Sequence, residues 1–291
     1  MKPRQKFPEK MPPASRKEPE ETLGHADADE ARRRSAPPSV VVFEAIRHEG
    51  ESEMERSTAN LWWSGLAAGL SMGFSFIAEA LLQSYLPDAP WRPLVTKFGY
   101  CVGFLIVVLG RQQLFTENTL TPVLHLLREK SRSVLVNMLR LWGIVLLANF
   151  VGGFCFALLV SIPDLFDQTQ RTAMLAVASN AYQADFTWHF FHAVFAGWLI
   201  ALMVWLLPLA ETARIFVIII ITYLVGLGGF SHIIAGAVEV FYLMLHGEVP
   251  LLAPLGLFFL PVLLGNMIGG IAFVAAINYA QALEAQQRKG A

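Results

Sequence analysis

A chain of 291 residues that is 55% hydrophobic and 15% charged, with mean hydropathy +0.49, is too apolar for a typical soluble domain, whose charged fraction is about a quarter. Residues 1–56 carry 11 Lys and Arg with 12 Asp and Glu, so a polar tail precedes an apolar, membrane-embedded body. The net charge of −1 and the mixed signs of the tail exclude the basic face that nucleic acid requires. Cys101 and Cys155, each within an apolar run, can build neither a disulfide framework nor a CxxC metal or redox motif.

Residues 1–38, rich in Pro, Glu, Lys, Arg and Ala, hold too little apolar surface to offset their chain entropy and read as a disordered cytoplasmic tail. They show no apolar core and cleavage site of a secretory signal peptide. In residues 39–57 an apolar group (Val41, Val42, Phe43, Ile46) precedes Arg47, Glu49, Glu51, Glu53 and Glu55. That pattern predicts an interfacial amphipathic helix, with a solvated linker helix as the alternative.

Six apolar segments of spanning length follow, at 61–86, 94–127, 134–162, 188–209, 213–246 and 251–282. They divide into a first three-helix repeat (58–162), an extracytoplasmic loop (163–186), a second three-helix repeat (187–283) and a short cytoplasmic tail (284–291). Arg128, Lys130, Arg132, Arg214, Arg288 and Lys289 fall on the side of the N-terminal tail. The opposite loops carry Asp88, Asp164, Asp167, Asp185 and Glu248 with only Arg92 and Arg171. The positive-inside rule therefore places both termini in the cytoplasm. Trp62, Trp63, Trp91 and Trp188, near segment ends, read as an aromatic belt.

The segments 94–127 and 213–246 are too long for straight helices: 34 residues rise about 51 Å, whereas the hydrocarbon is about 30 Å thick. Each is interrupted, by Arg111-Gln112-Gln113-Leu114-Phe115-Thr116-Glu117-Asn118-Thr119 and Pro122 in one and by Gly226-Leu227-Gly228-Gly229-Phe230-Ser231-His232 in the other. Both read as broken helices. The breaks recur in two halves, Thr116 standing 33 residues before Asn149 and His232 standing 34 before Asn266. Each Asn opens an N-x-x-G-G-x-x-F string (Asn149, Gly152, Gly153, Phe156; Asn266, Gly269, Gly270, Phe273). Three crossings per repeat give the second half the opposite orientation, the inverted architecture in which discontinuous helices meet at a substrate path. Gly65, Gly69 and Gly73 add a close-packing face.

Unpaired backbone at membrane depth survives only beside protein or a wet cavity, so two breaks imply a pathway. The restarting half-helices would point their positive ends at the centre, where an anionic group is favoured; His232 and Thr116 stand at those restarts. A lone histidine in a helix is ordinarily structural, but a Gly-rich break reverses that reading. His189 and His192 lack a partner carboxylate or Cys nearby and read as a structural pair, not a metal site. Ser231 occupies the third position of a would-be GxGxxG, and no P-loop or HExxH is present. No enzyme activity, metal or cofactor is expected.

The Gln113-Leu114-Phe115-Thr116-Glu117-Asn118-Thr119-Leu120 string, the Phe230-Ser231-His232 break, Asn266 with Gly269-Gly270, and the Trp198 to Trp205 stretch resemble the formate/nitrite transporter family, most closely its YfdC-type inner-membrane branch. The resemblance runs from about residue 60 to 282. It implies an all-α integral membrane protein: an aquaporin-like six-helix protomer with inverted repeats and two broken helices. It further implies a homopentamer in the bilayer of the cell inner membrane, with one pore per protomer for a small solute. By the same resemblance Thr116 and His232 match the polar pair at the pore centre. Leu114, Phe115, Phe104 and Ile200 match an inner hydrophobic constriction, and Tyr100 and Val225 an outer one.

The sequence also departs from that family. Gly197 and Gly236 stand where the family commonly has pore Asn residues, and Glu79, Glu117 and Glu239 add acids, with Lys97 as a candidate partner. Glu239, seven residues past His232 on nearly one helix face, reads either as a pore group that repels anions or as a partner of His232 or of a neighbouring protomer. Three functions follow. The first is a channel or proton-linked transporter for a small monovalent weak-acid anion, with Glu117, Gly197, Gly236 and Glu239 tuning the pore. The second is the same fold passing a neutral or cationic solute. The third is a non-conducting scaffold or receptor whose tail recruits a cytosolic partner.

Overall fold

The computed structural model describes residues 37–281 and residue 284, among which all regular structure is helical. The expected disordered tail, apart from residues 37 and 38, and the C-terminal tail, apart from residue 284, lie outside the described residues. In chain order the helices are α1 (Ser39–Glu55), α2 (Thr58–Tyr85), α3 (Arg92–Thr96), α4 (Cys101–Leu109), α5 (Thr121–Glu129), α6 (Arg132–Val160), α7 (Gln168–Ala181), α8 (Phe186–Leu206), α9 (Arg214–Leu227), α10 (Ile233–Leu245) and α11 (Leu260–Gly270), the last flanked by π-helical turns Leu255–Phe259 and Ile271–Ala276.

Five stretches are long and apolar enough to cross a membrane: Thr58–Tyr85, Arg92–Leu109, Arg132–Val160, Phe186–Leu209 and Leu255–Gln281; α9 and α10 are shorter apolar helices. Side-chain caps mark several of the starts. Ser57 Oγ accepts from the Asn60 amide at 3.3 Å, and Asp185 Oδ1 accepts from that of Trp188 at 2.9 Å. The segment 163–186, expected as a loop, contains α7, whose Asp167 and Gln170 form a reciprocal capping box. Its polar composition gives it little helical periodicity, but buried Ala173, Met174, Val177 and Ala178 pack it with Phe76 of α2 and Tyr242 of α10.

The two halves repeat position for position at their closest approaches. A methyl group at Gly69 would strike the backbone of Asn149, and one at Gly197 that of Asn266; Gly152 abuts Leu66 in the same way that Gly269 abuts Val194. Small residues thus let α2 meet α6, and α8 meet α11, backbone to backbone. At Gly197, expected as a pore-tuning position, the missing side chain makes room for α11.

Helix α1 lies against α5, with Gly50 and Glu53 at Thr121, Arg47 at His125 and Glu44 at Arg128. Val42, Phe43, Ile46 and Met54 are buried, and the Phe43 ring lies tilted against that of Tyr279, 5.8 Å between centroids. Of the apolar group assigned from sequence to a membrane interface, Val42, Phe43 and Ile46 are therefore covered by the protein itself, while Val41 stays exposed. A methyl at Gly50 would collide with the Thr121 carbonyl. Arg140 of α6 donates to the Met54 and Arg56 carbonyls at 2.7 and 3.0 Å, closing the C-terminal end of α1 with a cation where the helix dipole favours one.

Candidate functional site

Both breaks end their first half-helix in the same way. Arg111 (φ 50°) and Gly229 (φ 61°) take the left-handed conformation. The next amides, Gln112 and Phe230, then reach back to the Val107 and Val225 carbonyls, each at 3.0 Å. This is a Schellman ending. Glycine adopts it freely, whereas arginine does so against the steric preference of an L-residue.

An asparagine clamps each break from the facing helix. Asn149 Oδ1 accepts from the Phe115 amide at 2.9 Å while its Nδ2 donates to Gln113 and Gly65 carbonyls at 2.9 and 2.7 Å. Asn266 does the same for Ile233 (2.9 Å), Ser231 (2.9 Å) and Ala193 (2.8 Å). One buried amide side chain thus satisfies three backbone groups that a broken helix would otherwise orphan. The sequence showed both Asn residues in their repeated string but not this role. The clamps also reset the register of the repeat. The position matching His232 is Leu114, and the one matching Thr116 is Ile234, so the histidine and the threonine are not symmetry mates.

They nevertheless meet. Thr116 Oγ1 lies 2.7 Å from His232 Nε2, and both residues are 1% exposed. His232 is the N-cap of α10, and its Nδ1 accepts from the Ile234 and Ala235 amides at 3.3 and 3.1 Å. Nδ1 therefore carries a lone pair, the proton sits on Nε2, and that N–H donates to the Thr116 hydroxyl. The Phe104 ring packs edge-on at 5.0 Å and holds the imidazole plane. Because Asn266 and His232 take the first three amides of α10, the positive end of this helix presents one imidazole N–H to the centre and no nest of bare amides. The helix end thus fixes which ring nitrogen carries the proton. Thr116 keeps its own O–H, for which no acceptor stands among the described residues.

One cavity reaches His232, and a second lies beside Gln113 and Glu117, neighbours of Thr116. The first, of about 240 Å³, is lined by Tyr100, Val225, His232, Gly236 and Glu239 together with Lys97, Asn180 and Ser231. The other, of about 80 Å³, lies on the α1 side and is lined by Glu49, Glu53, Arg111, Gln113, Glu117 and Val204, among others. Tyr100, the N-cap of α4, reaches the first cavity, and Val108 near the end of α4 reaches the second. Phe104, one turn from each, is fully buried between them with Leu114, Phe115 and Ile200. The residues expected at an inner constriction are therefore buried together in one apolar cluster. Tyr100 and Val225, expected at an outer constriction, are buried in the wall of the larger cavity, the Tyr100 ring lying against Gly226.

The added acids have different surroundings. Glu79 accepts from the Lys97 ammonium. Glu117 opens the 3₁₀ turn Glu117–Thr119 with Oε1 buried and unpaired. Glu53 receives Gln113 Nε2 and Thr121 Oγ1, both at 3.0 Å, while burial, reinforced by the charge of Glu49, pushes its carboxyl above the usual range. Glu49 pairs with Arg111 at 2.8 Å. His189 is buried, accepting from the Gln183 amide at 3.0 Å and lying 3.0 Å from Ser231 Oγ, which ties the turn after α7 to the second break. Among the described residues no three His, Cys, Asp or Glu side chains cluster to hold a metal.

The family model described as formate/nitrite transporter matches residues 40–280. The chain is 40% identical to the inner membrane protein YfdC of Escherichia coli (strain K12) over 84% of its own length and 78% of that protein. Among solved structures it is similar to an FNT family ion channel (TM-score 0.72, 23% identity, covering 82% of this chain and 98% of that one). A pentameric formate channel with formate bound is also similar (TM-score 0.64, 18% identity, covering 78% and 98%).

Proposed function

The chain belongs to the formate/nitrite transporter family, and on that premise we propose that it conducts a small monovalent weak-acid anion of the formate or nitrite class between Thr116 and His232. The observation that carries this reading is the single N–H of His232, a residue that lines the larger cavity, aimed at the buried Thr116 hydroxyl. A solute that reaches His232 from the larger cavity can take the Nε2–H that Thr116 otherwise accepts, with the Thr116 O–H as a second donor, at the positive end of α10. The apolar cluster of Phe104, Leu114, Phe115 and Ile200 beyond disfavours a charged species, so the solute crosses it as the neutral acid. The protomer assembles as a homopentamer in the inner membrane, with both termini cytoplasmic and no enzymatic step.

In proteoliposomes, His232→Ala and Thr116→Val are expected to slow formate uptake about ten- to a hundredfold, the equivalent of about 1.5–3 kcal/mol for a hydrogen bond to a charged group. Unaltered uptake of formate, nitrite and acetate by both variants refutes the role of the pair. A second reading, a neutral or cationic solute in the same fold, draws on Glu239 and on Gly236 in the cavity wall. It requires uptake of such a solute and rejection of all three anions.

A further inference from the structure

We infer that Glu239 is the proton carrier of this pathway: in the larger cavity it hands its carboxyl proton to the entering weak-acid anion, which then meets His232 and Thr116 as the neutral acid. The inference rests on the weak-acid reading above and deepens it. Glu239, 6% exposed, lines the same cavity as His232, yet its carboxyl makes no hydrogen bond or ion pair among the described residues. Lys97 is the one cationic side chain of that lining, and its ammonium is already donated to Glu79. An unmatched carboxyl at membrane depth is costly and marks a functional group.

The titratable groups facing Glu239 narrow its role. They are Glu79 from α2, Lys97 after α3, Tyr100 at the start of α4 and His232 at the head of its own helix; α7 contributes Val177, Asn180 and Ala181, which do not titrate. His232 stands two turns away, about 10 Å along α10. It is unsuited to proton exchange, because two amides occupy Nδ1 and loss of the Nε2 proton would leave an imidazolate. A cation drawn to Glu239 would next face an N–H donor and a positive helix end. An anion would face a carboxylate, unless that carboxylate carried a proton. One proton shared between Glu239 and the solute meets both demands. The O–H bond of Glu239 breaks as a new one forms on the solute oxygen, and the carboxylate left behind takes up a proton (hydronium) from the bulk solution through the cavity, so one proton is consumed for each anion neutralised.

The test is formate uptake by proteoliposomes of the full chain from about pH 5 to pH 8, across which the neutral-acid fraction falls about tenfold per unit. Glu239→Gln keeps shape and polarity without an exchangeable proton. It is expected to lose about tenfold or more of the uptake at the alkaline end while approaching the unmodified protein at the acid end. Glu239→Asp keeps the proton and is expected to keep the pH profile at a reduced rate, a readout that does not depend on recovering Glu239→Gln in folded form. Equal loss at every pH in the Gln variant, or faster anion uptake at alkaline pH, overturns the inference. So does an Asp variant that loses the pH profile. An unmodified protein impermeable to formate, nitrite and acetate at every pH overturns the channel reading itself, and this inference with it.

Discussion

The imidazole at position 232 ends one chain segment and starts another. Its Nδ1 takes two amides that an isolated half-helix would leave bare, so the ring has one orientation and one tautomer. The Gly-rich run before it made His232 stand out in the sequence. The tautomer was not legible, because it depends on where α10 begins and on Asn266 across the bundle. Arg111 illustrates the same limit. Its sequence neighbours mark a break, but only the chain path gives it φ 50°, a conformation taken by glycine in the second half. Arg111→Gly relieves that strain and Arg111→Ala retains it, while both lose the exposed pair with Glu49. We expect the Gly variant to be about 1 kcal/mol the more stable, measured as the higher midpoint in detergent thermal melts; an equal or lower midpoint for Gly contradicts it.

Helices here depend on groups far away in sequence. Replacing Asn266 with Ala removes three buried hydrogen bonds at once. With each orphaned backbone group costing about 1–3 kcal/mol, a loss of at least about 3 kcal/mol is expected, visible as a collapse of folded yield or of the melting midpoint; Asn149→Ala should match it. A loss within 1 kcal/mol for either would show the clamp to be dispensable. The docking of α1 responds to pH through two acids. Burial raises the carboxyl of Glu53, so its contribution is complete below the ordinary carboxylate pKa and is lost as pH rises through the raised value. Partial burial works against Glu44, but Arg47 and Arg128 outweigh it and lower its carboxyl, so its contribution is lost only as pH falls through the lowered value. Protease sensitivity of α1 is therefore expected to increase as pH climbs above the carboxylate range. Glu53→Gln should flatten that rise, and a variant that still tracks the wild-type curve argues against Glu53 as its source.

At the scale of the molecule, the outward faces of α6 and α8 carry large exposed apolar side chains, among them Leu139, Leu147, Leu158, Phe191 and Phe195. Such faces need lipid or further protomers for cover. Native mass spectrometry in mild detergent should report five protomers, and a monomer under all conditions would refute the proposed assembly. The sequence by itself determined the membrane class, the two interrupted spans and the repeated asparagine strings, because hydropathy, length and Gly-rich interruptions are local quantities that the bilayer reads directly. It did not reveal α7, whose helicity rests on a capping box and buried contacts rather than on apolar periodicity, nor that Gly197 lets α11 approach backbone to backbone. Only the tertiary structure decided that Thr116 and His232 touch although they occupy different places in the repeat, and that Glu239 shares a cavity with the histidine while Lys97 is taken by Glu79. Those are relations between helices, set by how closely small residues let backbones approach, and no single segment contains them.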